Sequence, residues 1–422
     1  MSEFSQHAQQ DRTSTHPPSR AMNIVHITNY LVPDYGYEEM QLARAQSRMG
    51  HQVAIITSNF LHPKGSAYGV LNTRFPQRQV EPSDEDQSGV RVIRLASWEL
   101  PGSRVWMRGL TRQLKSLAPD VVHCHNLLQA QTVRVALAKA MGREHVRLVV
   151  DDHMHTSVVR RSTVGRAFYA FHRAAVQPLL SREVDRFCAI SEDTRAYLRD
   201  LCGVTAGIEL RPLGVDVDAF GPSAELRRQW REQLGLGKDD LVLLYTGKVI
   251  EAKGVHVLVA AALELLQAGD RLKVAIVGDA EPDYLERIKQ QIAAASRMDD
   301  FRFHPSVPHP ELPGAYAAAN IAIWPRQESM ALLEAMSSAL PVVVSDRSGY
   351  AALVAGGPGV VFAHDDVTSL AGVIRGLFDP ARRATLGAAG RALTQRDYSW
   401  QRSAERYLET YGEATPSVAR RS

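Results

Sequence analysis

The stretch that decides the fold is TGKVIEAKGVHVLVAAALELL, residues 246–266. It follows the apolar run LVLLY and predicts the end of a buried strand, a loop with Lys248 and Lys253, and a long apolar helix opened by Gly254. Free N–H groups at a helix start, together with two ammonium groups, favour binding of a pyrophosphate. Two solvated lysines in a strand-to-helix loop are the alternative that this stretch leaves open.

The same alternation of apolar runs and helical patterns extends in both directions along the chain. A seam at 211–223, RPLGVDVDAFGPS, carries two prolines and two glycines but no periodic element. The pattern predicts an α/β protein of two Rossmann-like domains that face each other across a cleft. Ligands of such sheets bind at the carboxyl ends of the strands. The runs that we interpret as strands are 23–28, 52–57, 90–95, 121–123, 148–151, 187–190, 241–247, 272–278, 301–304, 321–325 and 341–346.

Domain boundaries follow from this pattern. Residues 1–21 are polar and predict a disordered tail. Residues 22–215 form the first domain and residues 216–397 the second. A last amphipathic helix, within 398–414, is expected to return to the first domain and complete it.

Composition narrows the classes of function. The formal net charge is only +3, which predicts no nucleic-acid partner. Cys124, Cys188 and Cys202 lack metal-binding spacing and suggest free thiols in a reducing compartment. No apolar run is long enough to span a bilayer, so we expect a cytoplasmic protein. The basic tracts 104–115 and 158–173 leave a peripheral contact with the inner face of the membrane open, although solvated helix faces explain them too.

Histidines cluster at the ends of two apolar runs. DVVHCHN places His123 and His125 after one strand, and VVDDHMHTS places His153 and His155 after the next. Strand ends that face a cleft are where catalytic groups gather. A structural, hydrogen-bonded histidine is the alternative at each position. The spacing matches no strong metal motif, so we predict no metal.

Two glutamates flank an apolar helix in PRQESMALLEAM, residues 325–336. Glu328 falls in the turn after a strand, and Glu334 lies among leucine, alanine and methionine. A carboxylate in such a run usually has a partner, and a sugar or ribose hydroxyl would serve. The alternatives are a charge near a helix start for Glu328 and a solvated position for Glu334.

The combination resembles the retaining glycosyltransferases of family 4, which have the GT-B fold. The resemblance spans about Asn23 to Tyr411. It rests on PDYGYEE, DVVHCHN, ISEDTRAYL, PLGVDVDAF, GKVIEAKG, PRQESMALLEAMSSALPVVVSDRSGY and YSWQRSAERYLETY. It implies that Lys248, Lys253 and Gly254 bind the donor diphosphate, and that Gly36 approaches the same phosphates from the first domain.

The resemblance also assigns the remaining site residues. It implies that His153 lies over the reacting sugar, that Glu328 faces the donor sugar as a catalytic group, and that Glu334 holds the ribose. The backbone N–H groups that follow Glu328 would contact the donor sugar, and they belong to Ser329, Met330 and Ala331.

This chain departs from the family pattern at two places. Family members have seven residues between the two glutamates, whereas five separate Glu328 from Glu334. Strict counting places Arg326 in the first position, and we favour Glu328 with a shorter turn. Lys248 stands where an arginine is commoner, which gives a point charge in place of a bidentate fork.

The implied function is hexosyl transfer (EC 2.4 class) from a nucleoside-diphosphate sugar to an acceptor hydroxyl, with retention of configuration and without a metal or other cofactor. UDP is the first expectation for the nucleotide and GDP the second. The acceptor would be a small molecule, a lipid-linked sugar or a polysaccharide. The alternatives are a nucleotide-sugar 2-epimerase of the same fold and a non-catalytic protein that binds nucleotide-sugars.

Overall fold

The computed structural model describes most of the chain, and the described residues are 20–32, 36–64, 75–101, 104–143, 146–154, 156, 163–326 and 330–412. His155, Glu328 and Ser329, named above as candidate site residues, lie outside these ranges. So do residues 1–19 of the N-terminal tail.

The first domain is built on an eight-stranded sheet with the order β10-β9-β8-β7-β1-β2-β4-β3. Neighbouring strands are parallel except for β3 and β4. Strands β1 and β7 lie side by side in the middle, where helices cover both faces, which explains their continuous apolar runs. A separate antiparallel hairpin is formed by β5 and β6. The bounds are β1 Asn23–Ile27, β2 Gln52–Ser58, β3 Ser83–Asp86, β4 Arg91–Leu95, β5 Ser97–Leu100, β6 Arg104–Met107, β7 Val121–His125, β8 Arg147–Asp152, β9 Arg186–Ala189 and β10 Ile208–Leu210.

The second domain is built on a six-stranded parallel sheet with the order β13-β12-β11-β14-β15-β16. This order is that of a Rossmann fold, because it reverses direction between β11 and β14. The first sheet reverses in the same way between β1 and β7. The bounds are β11 Val242–Thr246, β12 Lys273–Val277, β13 Phe301–His304, β14 Ile321–Trp324, β15 Val342–Ser345 and β16 Gly359–Phe362. The predicted α/β architecture with two parallel sheets is confirmed.

Helices cover both sheets. Those of the first domain are α1 Glu38–Arg48, α2 Leu110–Leu117, α3 Ala130–Ala140, α4 Thr163–Phe171, α5 Gln177–Glu183 and α6 Glu192–Ala196. The later helices are α7 Ala224–Gln233, α8 Val255–Gln267, α9 Pro282–Ala294, α10 Leu312–Ala318, α11 Ala331–Ser337, α12 Ala351–Ala355, α13 Val367–Arg375, α14 Pro380–Asp397 and α15 Trp400–Gly412. Among the described residues, no helix combines the length and the apolar composition needed to cross a bilayer.

The last helix, α15, packs on the first sheet although it follows the second domain. Trp400, Ala404, Tyr407 and Tyr411 share one buried cluster with residues of α1 and of the central strands. An isolated parallel bridge between Val215 and Ser399 marks where the chain crosses back. This packing supports the proposal that residues 398–414 complete the first domain.

Among the described residues, the sequence missed five strands at the margins of the sheets or outside them, namely β3, β5, β6, β10 and β16. β3 lies within the acidic segment 81–87, which has no apolar run, and β10 and β16 are short edge strands. The hairpin strand β5 shows no long apolar run, because only one of its faces packs on the protein. Edge strands need only one apolar face, so their sequence signal is weak.

Close packing in the second domain yields a test at two helical glycines. A Cβ at Gly387 in α14 would lie 2.0 Å from the carbonyl oxygen of Ala339, whereas a Cβ at Gly372 in α13 would meet nothing within 4 Å. We expect Gly387→Ala to lower the free energy of unfolding by about 1–3 kcal/mol through overpacking. The matched variant Gly372→Ala should be neutral or stabilise by up to ~1 kcal/mol. Urea unfolding of both variants measures the difference, and equal effects would contradict this packing.

Candidate functional site

The points where the two sheets reverse direction carry the candidate residues. In the first domain, β7 ends at His125, and Gly36 lies in the connection that follows β1. In the second domain, β11 leads to Lys248, and β14 leads to Arg326. The strand-end positions expected from the sequence are therefore found at the crevices where open α/β sheets bind ligands.

Gly36 forms a close contact between the two domains. Its φ is 74°, a conformation that favours glycine. A Cβ at this position would lie 2.6 Å from Cγ of His309, which belongs to the second domain. Any side chain at Gly36 would therefore force the His309 ring to shift and disturb this contact. Nε2 of His309 lies 2.9 Å from Oε1 of Glu334, so the contact leads directly to a candidate ribose ligand.

Glu334 is buried in α11 and has two protein partners. Besides His309, the hydroxyl of Tyr316 donates to its Oε2 at 2.7 Å. Oγ1 of Thr246, the last residue of β11, lies 3.0 Å from the same hydroxyl. Burial, together with the charge of Glu334, raises the pKa of Tyr316 well above its ordinary value, so Tyr316 remains a donor. The solvated interpretation of Glu334 is wrong, because its carboxylate belongs to this buried chain of hydrogen bonds.

The loop with the two lysines joins β11 to α8 through a short 3₁₀ turn, Glu251–Lys253. Lys248 is exposed and Lys253 is half-buried. Gly254 has a φ of 72° and precedes the first residue of α8. The N–H of His256 already donates to the hydroxyl of Tyr284 at 3.0 Å. One of the backbone N–H groups at the start of α8 therefore already has a partner. The lysines would then contribute a larger share of the binding of a diphosphate.

Arg326 holds three loops of the second domain together. Its guanidinium donates to both carboxylate oxygens of Asp365, at 2.8 and 3.1 Å, and to the carbonyl of Glu251 at 2.9 Å. Its stem lies against Gly254, where a Cβ would come within 2.7 Å of Cγ of Arg326. Strict counting places Arg326 at the first glutamate position of the family pattern. Its guanidinium is already bound to Asp365 and to the carbonyl of Glu251.

Two further donor-site candidates lie at the start of α11. Ala331 is its buried first residue, and Met330, half-buried, precedes it. Met330 packs against the cluster that contains Trp400 of the last helix. The segment expected to face the donor sugar thus ends in a second contact between the domains.

His153 lies between two carboxylates. Its Nδ1 is 2.5 Å from Oε1 of Glu38, and its Nε2 is 3.3 Å from Oδ2 of Asp151. Burial by itself would lower the pKa of His153, but Asp151 and Glu38 outweigh burial and raise it well above the ordinary value. Burial by itself would raise the pKa of the Glu38 carboxyl, but His153 outweighs burial and lowers it. Both shifts favour the charged pair, an imidazolium beside a carboxylate.

Asp151 is the centre of this buried polar cluster. Nδ1 of His125 lies 3.0 Å from its Oδ1, Nε2 of His123 lies 3.2 Å from its Oδ2, and the hydroxyl of Tyr407 donates to Oδ2 at 3.1 Å. Burial works against ionisation, but the histidines hold the pKa of Asp151 well below its ordinary value. Burial lowers the pKa of His123 to about 4, so this ring is neutral. The structural interpretation of His123 and His125 is the one that this geometry supports.

Two sets of side chains have donor atoms close enough to suggest a metal site. They are His26, His123 and His125, and His125, Asp151 and His153, with the atoms of each set within 4.8 Å of one another. Most of these atoms already have partners. His26 lies 2.9 Å from His125 and 2.8 Å from Gln46, and His123 lies 2.7 Å from the hydroxyl of Tyr411. However, Nε2 of His123, Oδ1 of Asp151 and Nε2 of His153 are buried without a hydrogen-bond partner among the described residues, so part of the cluster keeps open ligand atoms. The absence of a metal stays a prediction.

Sequence reasoning missed five residues of the site. Their positions are His26, Glu38, His309, Tyr407 and Tyr411. A histidine within the apolar run NIVHIT and two tyrosines four residues apart on the last helix are signals of buried polar groups. No comparable signal marks His309, because only the meeting of the two domains gives it a role.

The charge of His153 predicts a pH dependence of stability. Its folded pKa is raised above the ordinary value of 6.5. The contribution of His153 to stability is therefore complete below pH 6.5 and is lost as the pH rises through the raised pKa. Glu38→Gln removes one of the two carboxylates, so the pKa of His153 should fall and the loss should begin at lower pH. Nuclear magnetic resonance titration of His153 and urea unfolding across this range measure both effects. Glu225→Gln, at an exposed position, is the control, and an unchanged titration in Glu38→Gln would refute the assignment.

Comparison with known proteins identifies the family. The family model "Glycosyltransferase Family 4" matches residues 40–219, and "Glycosyl transferases group 1" matches residues 227–392. A D-inositol 3-phosphate glycosyltransferase of Catenulispora acidiphila is 31% identical over 310 residues, which is 70% of this chain and 72% of that protein. A GDP-mannose-dependent alpha-(1-6)-phosphatidylinositol monomannoside mannosyltransferase of Mycolicibacterium smegmatis is 28% identical over 286 residues, which is 65% of this chain and 71% of that protein.

A solved structure shows the same fold. The crystal structure of a glycosyltransferase from Rickettsia africae superposes with a TM-score of 0.71 over 93% of this chain and 98% of that one, at 16% identity. The two family models together match both domains. The chain therefore belongs to the family 4 glycosyltransferases and has the GT-B fold.

Proposed function

We propose that the protein transfers a hexosyl group from a nucleoside-diphosphate sugar, UDP-linked in the first instance, to an acceptor hydroxyl, with retention of configuration and without a metal. The observation that carries the proposal is the contact of Gly36 with His309, which is itself paired with Glu334. It brings the candidate phosphate-binding loop of one domain against the candidate ribose ligand of the other.

The leaving diphosphate needs positive charge. Lys248 and Lys253 lie in the loop between β11 and α8, at the edge of the sheet where the domains meet. Cations fixed in a closed cleft stabilise a departing anion more than they would in water. Two ammonium groups supply the charge that a divalent metal provides in other enzymes, which supports the metal-free proposal.

Glu334 would hold the ribose of the donor. Each of its oxygens has one protein partner, and a carboxylate oxygen can accept more than one hydrogen bond. The partners fix the direction in which the remaining lone pairs point. A ribose diol that donates to this carboxylate would place the nucleoside beside His309.

His153 would act as a positive charge and a donor rather than as a base. The imidazolium has no lone pair to accept the proton of the acceptor hydroxyl. In the proposed step, the bond between the anomeric carbon and the phosphate oxygen breaks, and the acceptor oxygen attacks the same face. The departing phosphate oxygen takes the acceptor's proton, and His153 orients the sugar.

The donor nucleotide is tested first. UDP is proposed on the resemblance to family 4, and GDP is the competitor because one relative is named as GDP-mannose-dependent. Thermal shift with UDP, GDP and ADP selects the nucleotide, and release of the diphosphate from matching sugar donors tests turnover. Incubation without acceptor separates transfer from epimerisation, because an epimerised donor would refute the transferase proposal. The glycosyltransferase relatives favour transfer over the alternatives of an epimerase or a non-catalytic binding protein.

The proposed diphosphate site makes a prediction at Lys253. Lys253→Ala should lower kcat/KM on the order of 100-fold, with little change in melting temperature, because it removes charge from the leaving group. Lys238→Ala, which removes an exposed lysine of the same domain, is the control. Steady-state rates and calorimetric titration with the nucleoside diphosphate provide the measurement. Wild-type affinity and rate in Lys253→Ala would exclude this lysine from the site.

The proposed ribose site makes a separate prediction. Glu334→Gln keeps the shape of the side chain but removes its charge and one acceptor oxygen. Affinity for the nucleoside diphosphate should fall on the order of tenfold, since a hydrogen bond to a charged group is worth about 1.5–3 kcal/mol. Affinity for inorganic pyrophosphate should change much less. Equal losses for the two ligands in calorimetry would contradict a ribose role.

A further inference from the structure

The outer face of the β5–β6 hairpin is aromatic. Trp98 and Trp106 are cross-strand partners in its antiparallel register, so they lie on the same face. They are 60% and 39% exposed, whereas Val105 and Met107 on the opposite face are buried. The inner face anchors the hairpin to the domain, and the outer face presents two indole rings to solvent. Scattered exposed apolar residues are ordinary, but a paired set on one face is typical of a binding surface.

Helix α4 continues this surface. None of its nine residues is buried, and Val164 and Phe171 are 80% and 63% exposed. The guanidinium of Arg104, in β6, lies 4.5 Å from the ring centroid of Phe168 in α4, which joins the helix to the hairpin. We call the hairpin strands 97–100 and 104–107 and helix 163–171 together the aromatic surface.

Arginines contact these rings. Arg108 lies over Trp98 at 5.6 Å, and Arg134 lies over Trp106 at 4.1 Å. The segments 101–118 and 163–181 contain six lysines and arginines and no aspartate or glutamate, whereas the next arginine, Arg182, pairs with Glu183. Glu99, on the inner side of the hairpin, is already paired with Arg78 and Lys64. The chain as a whole is nearly neutral, so this positive charge is local.

We propose that the aromatic surface docks on a lipid bilayer that contains anionic lipids. Tryptophan rings favour the boundary between headgroups and acyl chains, and arginines beside them would pair with anionic headgroups. An anionic polymer would need the charge but not the exposed valine and phenylalanine. A second copy of the chain that docked through the same face would bring the same positive charge and would be repelled.

Docking there would place the bilayer beside the candidate site. The hairpin is fastened to the segment that follows β7: Nε2 of Gln131 donates to the carbonyl of Val105 at 2.6 Å, and Nε of Arg104 donates to the carbonyl of Leu128 at 3.3 Å. The aromatic surface thus lies at the carboxyl edge of the first sheet. The inference does not depend on the sugar donor or on the proposed chemistry.

The experiment is sedimentation of the full chain with vesicles. Vesicles of phosphatidylglycerol and phosphatidylcholine are compared with vesicles of phosphatidylcholine alone. We expect binding to the anionic vesicles that weakens with salt and falls on the order of tenfold in Trp98→Ser/Trp106→Ser, since partition scales with buried apolar area. Met298→Ser, which changes an exposed apolar side chain of the second domain, should bind like the wild type.

A second variant keeps the test decisive if the tryptophan variant is unstable. Arg108→Gln/Arg112→Gln leaves both rings in place and should lose binding to the anionic vesicles, while Arg228→Gln in α7 should not. Melting temperatures confirm that each variant is folded. Three results would overturn the proposal. They are no binding to anionic vesicles, vesicle binding that is unchanged in the tryptophan and arginine variants, and dextran sulfate binding as tight as vesicle binding. A dimer in light scattering that depends on the tryptophans would overturn it as well.

Discussion

The candidate site depends on a single buried carboxylate, Asp151. Placing a carboxylate out of water is costly unless hydrogen bonds and opposite charge surround it. Asp151 is surrounded by His123 and His125 of β7, by His153, and by the hydroxyl of Tyr407 in the last helix. The need to satisfy one charge therefore orients the ring of His153, raises its pKa together with Glu38, and ties helix α15 to the end of the first sheet.

Much of the fold could be predicted from the sequence. Strands such as NIVHI and VLLYT are mostly apolar because helices cover them on both sides, so their signal is strong. The lysine loop could be placed too, because a glycine marks the start of a long apolar helix. The hairpin and the edge strands were not predicted. A strand that packs on only one face shows little more than an ordinary alternation of polar and apolar residues.

The sequence predicted candidate site residues only where an unusual residue type and its position in a strand or helix could be seen within one segment. Glu334 stood out as a carboxylate among leucines, and it is buried with His309 and Tyr316 as partners. Its role with a ribose stays a prediction. Arg326 could not be understood from spacing, because its partners Asp365 and Glu251 are far apart in sequence. His309 and Glu38 gain their meaning from contacts between segments that the sequence does not relate. Contacts between domains are the part that local pattern does not encode.

The return of α15 to the first domain has a consequence for synthesis of the chain. Residues 210 and 400 bound an intervening stretch of about 190 residues, which a ribosome takes about 10–40 s to complete. During that interval the first sheet lacks the helix that covers Ile24, Leu42 and Val149. The histidines around Asp151 also lack the phenol of Tyr407. The second domain can form its core as it emerges, so the half that is made first becomes native last.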